Sequence, residues 1–387
     1  MKNDTNLEVY VHEKKVGSLA FENDEYIYNY QNVDDTNNYI SLTMPFRQKN
    51  YINRSLHPIF EMHLPEGYLL SIIKKHFSKI TKTDDFGLLK LMSTNIKGRV
   101  NYKTNELLEK NELKLENLLY PKNELLFDEL VNKFALSSVL SGVQPKVIVR
   151  VQDKATLSLD EYIVKSWGED YKHLALNEFY CMEIARKANI TVPEFYISDD
   201  HKLFIMKRFD ITKDKQYLGF EDMCVLQAKQ RDNKYDGSYE KIAKTIKIFT
   251  SKKNKKSSLK QLFKMIVINH FVKNGDAHLK NFALLYKDIN DISISPAFDI
   301  VCTTLYIKND IPALHLLGSK KWWDKKYLIR FAMESCDLTL KESNELYTEC
   351  TKALNEVKKD IEEKILTLKK KEEKVFLNNL LKVLENT

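Results

Sequence analysis

The segment Leu259 to Val272 is strongly apolar at helical spacing, and it delivers the chain into Asn274-Gly275-Asp276-Ala277-His278-Leu279-Lys280-Asn281. Eighteen residues after Asn281 comes Asp299, within Ala-Phe-Asp-Ile-Val, behind an apolar strand-like run. A solvated loop has no reason to gather Asp, His, Lys and Asn within the six residues 276–281, directly behind so apolar a helix. The pattern therefore demands a helix that ends in a polar loop, then a strand that brings a second carboxylate back toward it.

Bulk composition leaves room for such a fold. At 387 residues, with 43% hydrophobic and 11% aromatic residues, the chain has enough apolar side chains for more than one core, and disorder is excluded. The opening Met1-Lys2-Asn3-Asp4-Thr5-Asn6 has no apolar run behind a basic start, so no secretory signal is expected. No stretch reaches the roughly 18 uninterrupted apolar residues of a membrane helix. The five cysteines (Cys181, Cys224, Cys302, Cys336 and Cys350) are scattered and form no Cys-x-x-Cys, which argues against a disulfide scaffold or a structural zinc. A cytoplasmic protein with no membrane association is the expectation. The net charge of +7 comes almost wholly from Lys, because Arg occurs only at positions 47, 54, 99, 150, 186, 208, 231 and 330. Base readout favours the planar Arg fork, so direct sequence-specific DNA binding is not expected, whereas weak polyanion attraction is.

Three segments are predicted. Residues 1–105 read as a β-rich N-terminal subdomain, with strands at Leu7–Val11 and Tyr26–Tyr30 and a turn from Lys14 into another strand. The turn Leu64-Pro65-Glu66-Gly67 leads to a short amphipathic helix over Tyr68–Ile73. Residues 106–210 read as a nucleotide-binding small lobe: an apolar helix ending at Leu136, a loop over Ser137–Lys146, strands at Val147–Val151 and Glu161–Lys165, a helix from His173 to Ala188, and a strand at Leu203–Met206. Residues 211–387 read as a mostly helical C-terminal lobe carrying the Asp276 loop. Near its end Thr339-Leu340-Lys341-Glu342 is a capping box that opens a long helix striped by Leu346, Cys350, Leu354, Val357, Ile361 and Ile365. The lysine runs at 252–256 and 369–371 read as solvated loops or helix faces.

An Asp followed five positions later by Asn, and then by another Asp after an apolar run, is the spacing used by protein kinases. Transfer of a phosphoryl group from ATP needs a cover for the phosphates, a cation on them, magnesium ligands and a group that orients the attacking hydroxyl. Ser141-Gly142-Val143-Gln144-Pro145-Lys146 is the candidate cover, in which Gly142 would let backbone N–H groups approach phosphate oxygens. Lys165, ending the strand Tyr-Ile-Val-Lys, is the candidate cation, and Glu178 on the next helix would pair with it. Asp276 would orient the hydroxyl, Lys280 would neutralise charge on the moving phosphoryl, and Asn281 and Asp299 would hold magnesium. His278 either touches phosphate or holds the loop by hydrogen bonds.

With these residues in place the chain resembles the HipA family of serine/threonine kinases, toxins of bacterial toxin–antitoxin pairs. The resemblance runs through Val16-Gly17-Ser18-Leu19, Leu64-Pro65-Glu66-Gly67, Gly142–Lys146, Tyr162–Lys165, Asn177-Glu178, Val192-Pro193, Arg208-Phe209-Asp210, Glu221-Asp222-Met223 and Asp276–Asn281. It implies an α+β, two-lobed protein-kinase-like fold with an extra β-rich subdomain on the small lobe. It implies ATP and Mg2+ as cofactors, a protein substrate such as an aminoacyl-tRNA synthetase, and a small helix-turn-helix antitoxin through which DNA is contacted only indirectly. Lys207-Arg208-Phe209 matches the family's adenine hinge, which adds Lys207 and Phe209 to the nucleotide contacts. The family autophosphorylates a serine just upstream of the loop glycine; the usual position is Val139 here, so self-inactivation either uses Ser141, falls to Ser137 or Ser138, or is absent. Two other readings stand beside this one: a small-molecule phosphotransferase on a related fold, and a catalytically idle module acting in repression.

Overall fold

The computed structural model describes residues 6–31, 38–64, 66, 84–93, 96–102, 113–122, 126, 146–152 and 159–386. The predicted helix over 68–73, the apolar helix before Leu136, and the loop with Ser137, Ser138, Val139, Ser141, Gly142 and Gln144 lie outside the described residues. In chain order the strands are β1 (Asn6–Val11), β2 (Lys14–Glu22), β3 (Glu25–Tyr30), β4 (Tyr51–Asn53), β5 (Val100–Asn101), β6 (Leu113–Lys114), β7 (Lys146–Gln152) and β8 (Leu159–Lys165). They continue with β9 (Phe195–Ile197), β10 (Phe204–Lys207), β11 (Gly219–Asp222), β12 (Ala283–Tyr286) and β13 (Ile292–Ile294). The chain forms two compact units: Met1–Ser166 with Ile205–Asp232 and Leu285–Ile289, and Trp167–Phe204 with Asn233–Leu284 and Asn290–Thr387.

The first unit opens with a five-stranded antiparallel sheet in the order β4-β3-β2-β1-β5. Alternation along β1 buries Leu7, Val9 and Val11, as a half-buried strand requires. The second strand already starts at Lys14, so the turn lies one step earlier than the sequence suggested, with His12 in the left-handed region at φ 54°. Gly17 sits in the middle of this sheet, where a Cβ would come 2.2 Å from the Asn29 carbonyl oxygen and 2.6 Å from the Tyr28 hydroxyl. The backbone carbonyl has nowhere to go without breaking the β2–β3 ladder. Gly17→Ala is expected to cost about 1–3 kcal/mol, read as a lower urea midpoint with an unchanged slope.

β7 and β8 form an antiparallel hairpin in which Lys146 stands opposite Lys165 and Gln152 opposite Leu159. Beyond it Arg208 donates to the carboxylates of Glu161 (2.8 Å) and Asp210 (2.5 Å) and to the Lys97 carbonyl (3.0 Å). The same unit contains a buried carboxylate, Glu221. It accepts hydrogen bonds from the Ser41 hydroxyl (2.7 Å), the Leu42 N–H (2.8 Å) and the Tyr286 hydroxyl (2.5 Å). Arg99 lies over the rings of Tyr39 and Tyr286 beside it.

The second unit is built on helices. Lys255–Phe271 is buried almost continuously from Leu259 onward. Leu340–Thr367 begins at the predicted capping box: Thr339 Oγ1 accepts from the Glu342 N–H and Glu342 Oε2 from the Thr339 N–H. It buries Cys350, Leu354, Val357 and Ile361, packing on Leu174–Lys187, Lys255–Phe271 and the last helix, Lys371–Glu385. Leu346 and Ile365, expected in the same stripe, are half-buried. The region after residue 211 is helical as expected but also carries β11, β12 and β13, whose three or four residues each are too short to register as periodicity. All five cysteines are buried thiols, and no helix among the described residues is long and apolar enough to cross a membrane.

Candidate active site

The Asp276 loop is held by a relay of amides that starts inside the Lys255–Phe271 helix. Asn269 Nδ2 donates to the Met265 carbonyl (2.9 Å), and Asn274 Nδ2 donates to Asn269 Oδ1 (2.7 Å). Asn274 Oδ1 in turn accepts the Asp276 N–H (3.0 Å). Each amide therefore uses both ends, and the helix terminus is coupled rigidly to the backbone of Asp276. Lys273, between helix and loop, takes φ 53°, the single left-handed step that turns the chain out of the helix.

Downstream, the His278 N–H donates to Asn281 Oδ1 (3.0 Å), and Asn281 Nδ2 donates to Asp299 Oδ2 (2.8 Å). Those two partners fix the orientation of the Asn281 amide. The structure thus brings together Asp276, His278, Lys280, Asn281 and Asp299 within one unit. Asp299 adopts φ 61°, a conformation in which Asp is one of the few tolerated non-glycine residues. Three residues on, Cys302 is clamped by Asn177: its N–H donates to Asn177 Oδ1 (2.7 Å) and its carbonyl accepts from Asn177 Nδ2 (2.9 Å). Thr303 Oγ1 accepts the Gly275 N–H at 2.7 Å, so the segment behind Asp299 also braces the loop.

Burial pushes the Asp276 carboxyl above the ordinary carboxylate range; the Tyr235 hydroxyl, 2.5 Å from Oδ1, pulls it back, and the charge of Asp299 pushes it up again. His278 is buried, with its ring edge-on to Tyr235 at 5.1 Å between centroids. Lys280 is half-buried. A carboxylate and an amide oxygen are hard donors of the kind magnesium takes, and it needs no more than one or two carboxylates when phosphate oxygens and water complete its shell. The residues present therefore fit that ion.

The candidates for nucleotide handling lie mainly in the other unit. Lys165 is buried at 3% exposure at the end of β8, and the hairpin register sets it opposite Lys146. The sequence presented these two lysines separately, nineteen positions apart; only the register reveals them as cross-strand partners. Lys207 forms an ion pair with Asp160 (2.6 Å), and Phe209 packs edge-on to Phe220. Glu178 is fully buried on the Leu174–Lys187 helix of the second unit. Sequence reasoning missed Tyr235, the amide relay through Asn269 and Asn274, and the clamp by Asn177. The signal there is the turn-rich Lys234-Tyr235-Asp236-Gly237 before the N-cap Ser238, and turn chemistry does not report a contact 41 residues away.

Residues 7–103 match the HipA N-terminal domain and residues 138–365 the HipA-like C-terminal domain. A relative from Sinorhizobium fredii, named "Putative kinase Y4dM", is 28% identical over 305 residues, 73% of this chain and 70% of the relative. Another, from Haemophilus influenzae and named "Putative kinase", is 29% identical over 202 residues, 47% of this chain and 58% of its own length. HipA of Shewanella oneidensis MR-1, solved within a toxin–antitoxin complex with HipB and operator DNA, aligns over 98% of this chain and 95% of its own. Its TM-score of 0.73 at 19% identity shows a shared fold. The expected α+β, kinase-like fold of HipA type is the one found, and with both domains matched in order, the chain belongs to the HipA family.

Proposed function

We propose that the chain is an ATP- and magnesium-dependent protein kinase that phosphorylates serine or threonine hydroxyls, and that it is the toxin of a toxin–antitoxin pair. The observation that carries the reading is the Asn281–Asp299 amide–carboxylate bond formed beside Asp276 on a loop braced from two sides. In this reading the acceptor hydroxyl gives its proton to Asp276 as its oxygen bonds to the γ-phosphorus, and the bond from that phosphorus to the β-phosphate oxygen breaks to release ADP. Lys280 neutralises charge on the phosphoryl group in flight. Asn281 and Asp299 hold magnesium, which when bound offsets the charge of the phosphates.

Gly142, Gln144, Lys146 and Lys165 cradle the phosphates, Glu178 steadies Lys165, and Lys207 and Phe209 flank the adenine. The hairpin register, which sets Lys146 opposite Lys165 at the end of β8, supports this placement of the two residues. Ser141 is the proposed autophosphorylation site; added negative charge in that loop would repel the nucleotide. The substrate is a protein of the translation machinery such as an aminoacyl-tRNA synthetase, and the partner is a helix-turn-helix antitoxin that makes the DNA contacts.

The test incubates the protein with γ-labelled ATP and a cytosolic extract, with Asp276→Asn as blank. One labelled protein band absent from the blank is the expected result. Label only in small molecules would point to a small-molecule phosphotransferase, and no label at all to an idle binding module.

A further inference from the structure

Asp276 is engaged on one side only. Its Oδ1 accepts the Tyr235 hydroxyl at 2.5 Å, while Oδ2 has no hydrogen-bond donor among the described residues. Tyr235 is not carried on a loose tip. The carbonyl of Lys234, just before it, accepts the Leu279 N–H at 3.0 Å, tying the Lys234–Tyr235 turn to the Asp276 loop itself. The carbonyl of Tyr235 accepts from Lys320 Nζ at 3.2 Å. The ring stands edge-on to His278, and Lys234 Nζ lies 5.5 Å from the ring centroid. Two residues on, Gly237 packs so tightly that an added Cβ would lie 3.1 Å from the Leu279 side chain. Backbone, ring and hydroxyl are thus each registered against the same loop, although the side chain is 41% exposed.

We infer that Tyr235 is a positioning residue for phosphoryl transfer: it anchors Oδ1 of Asp276 so that Oδ2 faces the acceptor hydroxyl. The inference rests on the kinase reading above and adds a residue to it. A carboxylate free to rotate about its terminal bond presents either oxygen or neither; one held by a phenol presents the other in a fixed direction. The benefit belongs to the reacting arrangement, not to the binding of either substrate, so it should be lost from kcat. The Asp276 carboxylate is half-buried, so solvent reaches only part of it and the phenol is the one side-chain donor that orients it among the described residues.

The experiment uses the full chain with γ-labelled ATP and dephosphorylated casein as a serine/threonine acceptor, comparing wild type, Tyr235→Phe and Asp276→Asn. Tyr235→Phe keeps the ring against His278 and removes only the hydroxyl. Its kcat is expected to fall roughly 10- to 100-fold while KM for ATP and for casein stays within about twofold and Tm is unchanged. In parallel, 3-fluorotyrosine is incorporated and the Tyr235 fluorine resonance, assigned by its absence in Tyr235→Phe, is expected to move in Asp276→Asn. An unchanged kcat in an active Tyr235→Phe enzyme overturns the inference and leaves the kinase reading intact. So does a lower KM for casein, which would make the phenol a competitor of the acceptor, and so does phosphate found on Tyr235 itself, which would make it the acceptor. A fluorine resonance indifferent to Asp276→Asn overturns the contact. A wild type that labels neither casein nor any extract protein removes the kinase reading, and the inference with it.

Discussion

Asp299→Gly and Asp299→Ala should both lower phosphoryl transfer by about 10³-fold or more, since either removes a proposed metal ligand that supplies several kcal/mol of charge stabilisation. Stability should separate the two variants. Both lose the carboxylate that accepts from Asn281 Nδ2, but the backbone at 299 stands at φ 61°. Glycine takes that conformation without a Cβ penalty, whereas alanine bears a cost of about 1–2 kcal/mol. Greater chain entropy of glycine in the unfolded state returns about 0.5–1 kcal/mol of that difference. Asp299→Gly should therefore melt at or above Asp299→Ala by a degree or two while being equally inactive. Differential scanning calorimetry beside the labelled-ATP assay checks both halves, and an Ala variant more stable than the Gly variant would contradict the left-handed backbone.

Glu221→Ala carries the largest expected loss of stability. It strands the Leu42 N–H and the Tyr286 hydroxyl in a buried site and removes the acceptor of the Ser41 hydroxyl, which is left with Thr43 Oγ1 alone. At about 1–3 kcal/mol for each unsatisfied group, and with partial relaxation, the loss should reach about 3–5 kcal/mol. Glu221→Gln should be far milder. Its oxygen can keep Leu42 and Tyr286, and its N–H can donate to Ser41 Oγ, whose own proton can turn to Thr43 Oγ1 at 2.8 Å. The two variants also differ in pH response from the wild type. Burial raises the Glu221 carboxyl above its ordinary 4.5, against the pull of its three donors and Arg99. A group whose folded value is raised contributes most below the unfolded value, and that contribution is lost as pH rises through the folded one. Gln has no such dependence. The wild type should therefore gain on Glu221→Gln as pH falls toward 4.5 and lose ground toward neutrality, measurable as converging or diverging urea midpoints.

Much of this molecule was legible before its structure. Patterns confined to a few neighbouring residues read correctly: alternation in β1, the capping box at Thr339, and the buried helix that ends at the Asp276 loop. The grouping of Asp276, Asn281 and Asp299 was legible for the same reason, because loop and strand are consecutive and a short return brings the carboxylate back. Contacts set by tertiary packing had no local trace. Ser41 and Glu221 meet across 180 residues, and Tyr235 reaches Asp276 across 41, with nothing in either sequence neighbourhood to mark them. Lys146 and Lys165 form an intermediate case: each strand was visible, but register depends on the loop between them, and one residue of slip would put the lysines on opposite faces. The left-handed backbone at Asp299 was hidden because Asp is common at strand ends, where it more often caps a helix.

The clamp between Asn177 and Cys302 has a consequence for synthesis. It joins residues 125 apart, so the segment bearing Asp299 cannot settle until residue 302 has followed Asn177 out of the ribosome. Domains form as units while the ribosome delivers them, and contacts of long sequence separation close late. A nascent chain that has released Asp276 and Asn281 still lacks the brace from Thr303 and the anchor at Cys302. The site therefore completes in two stages, the loop first and its outer brace afterwards.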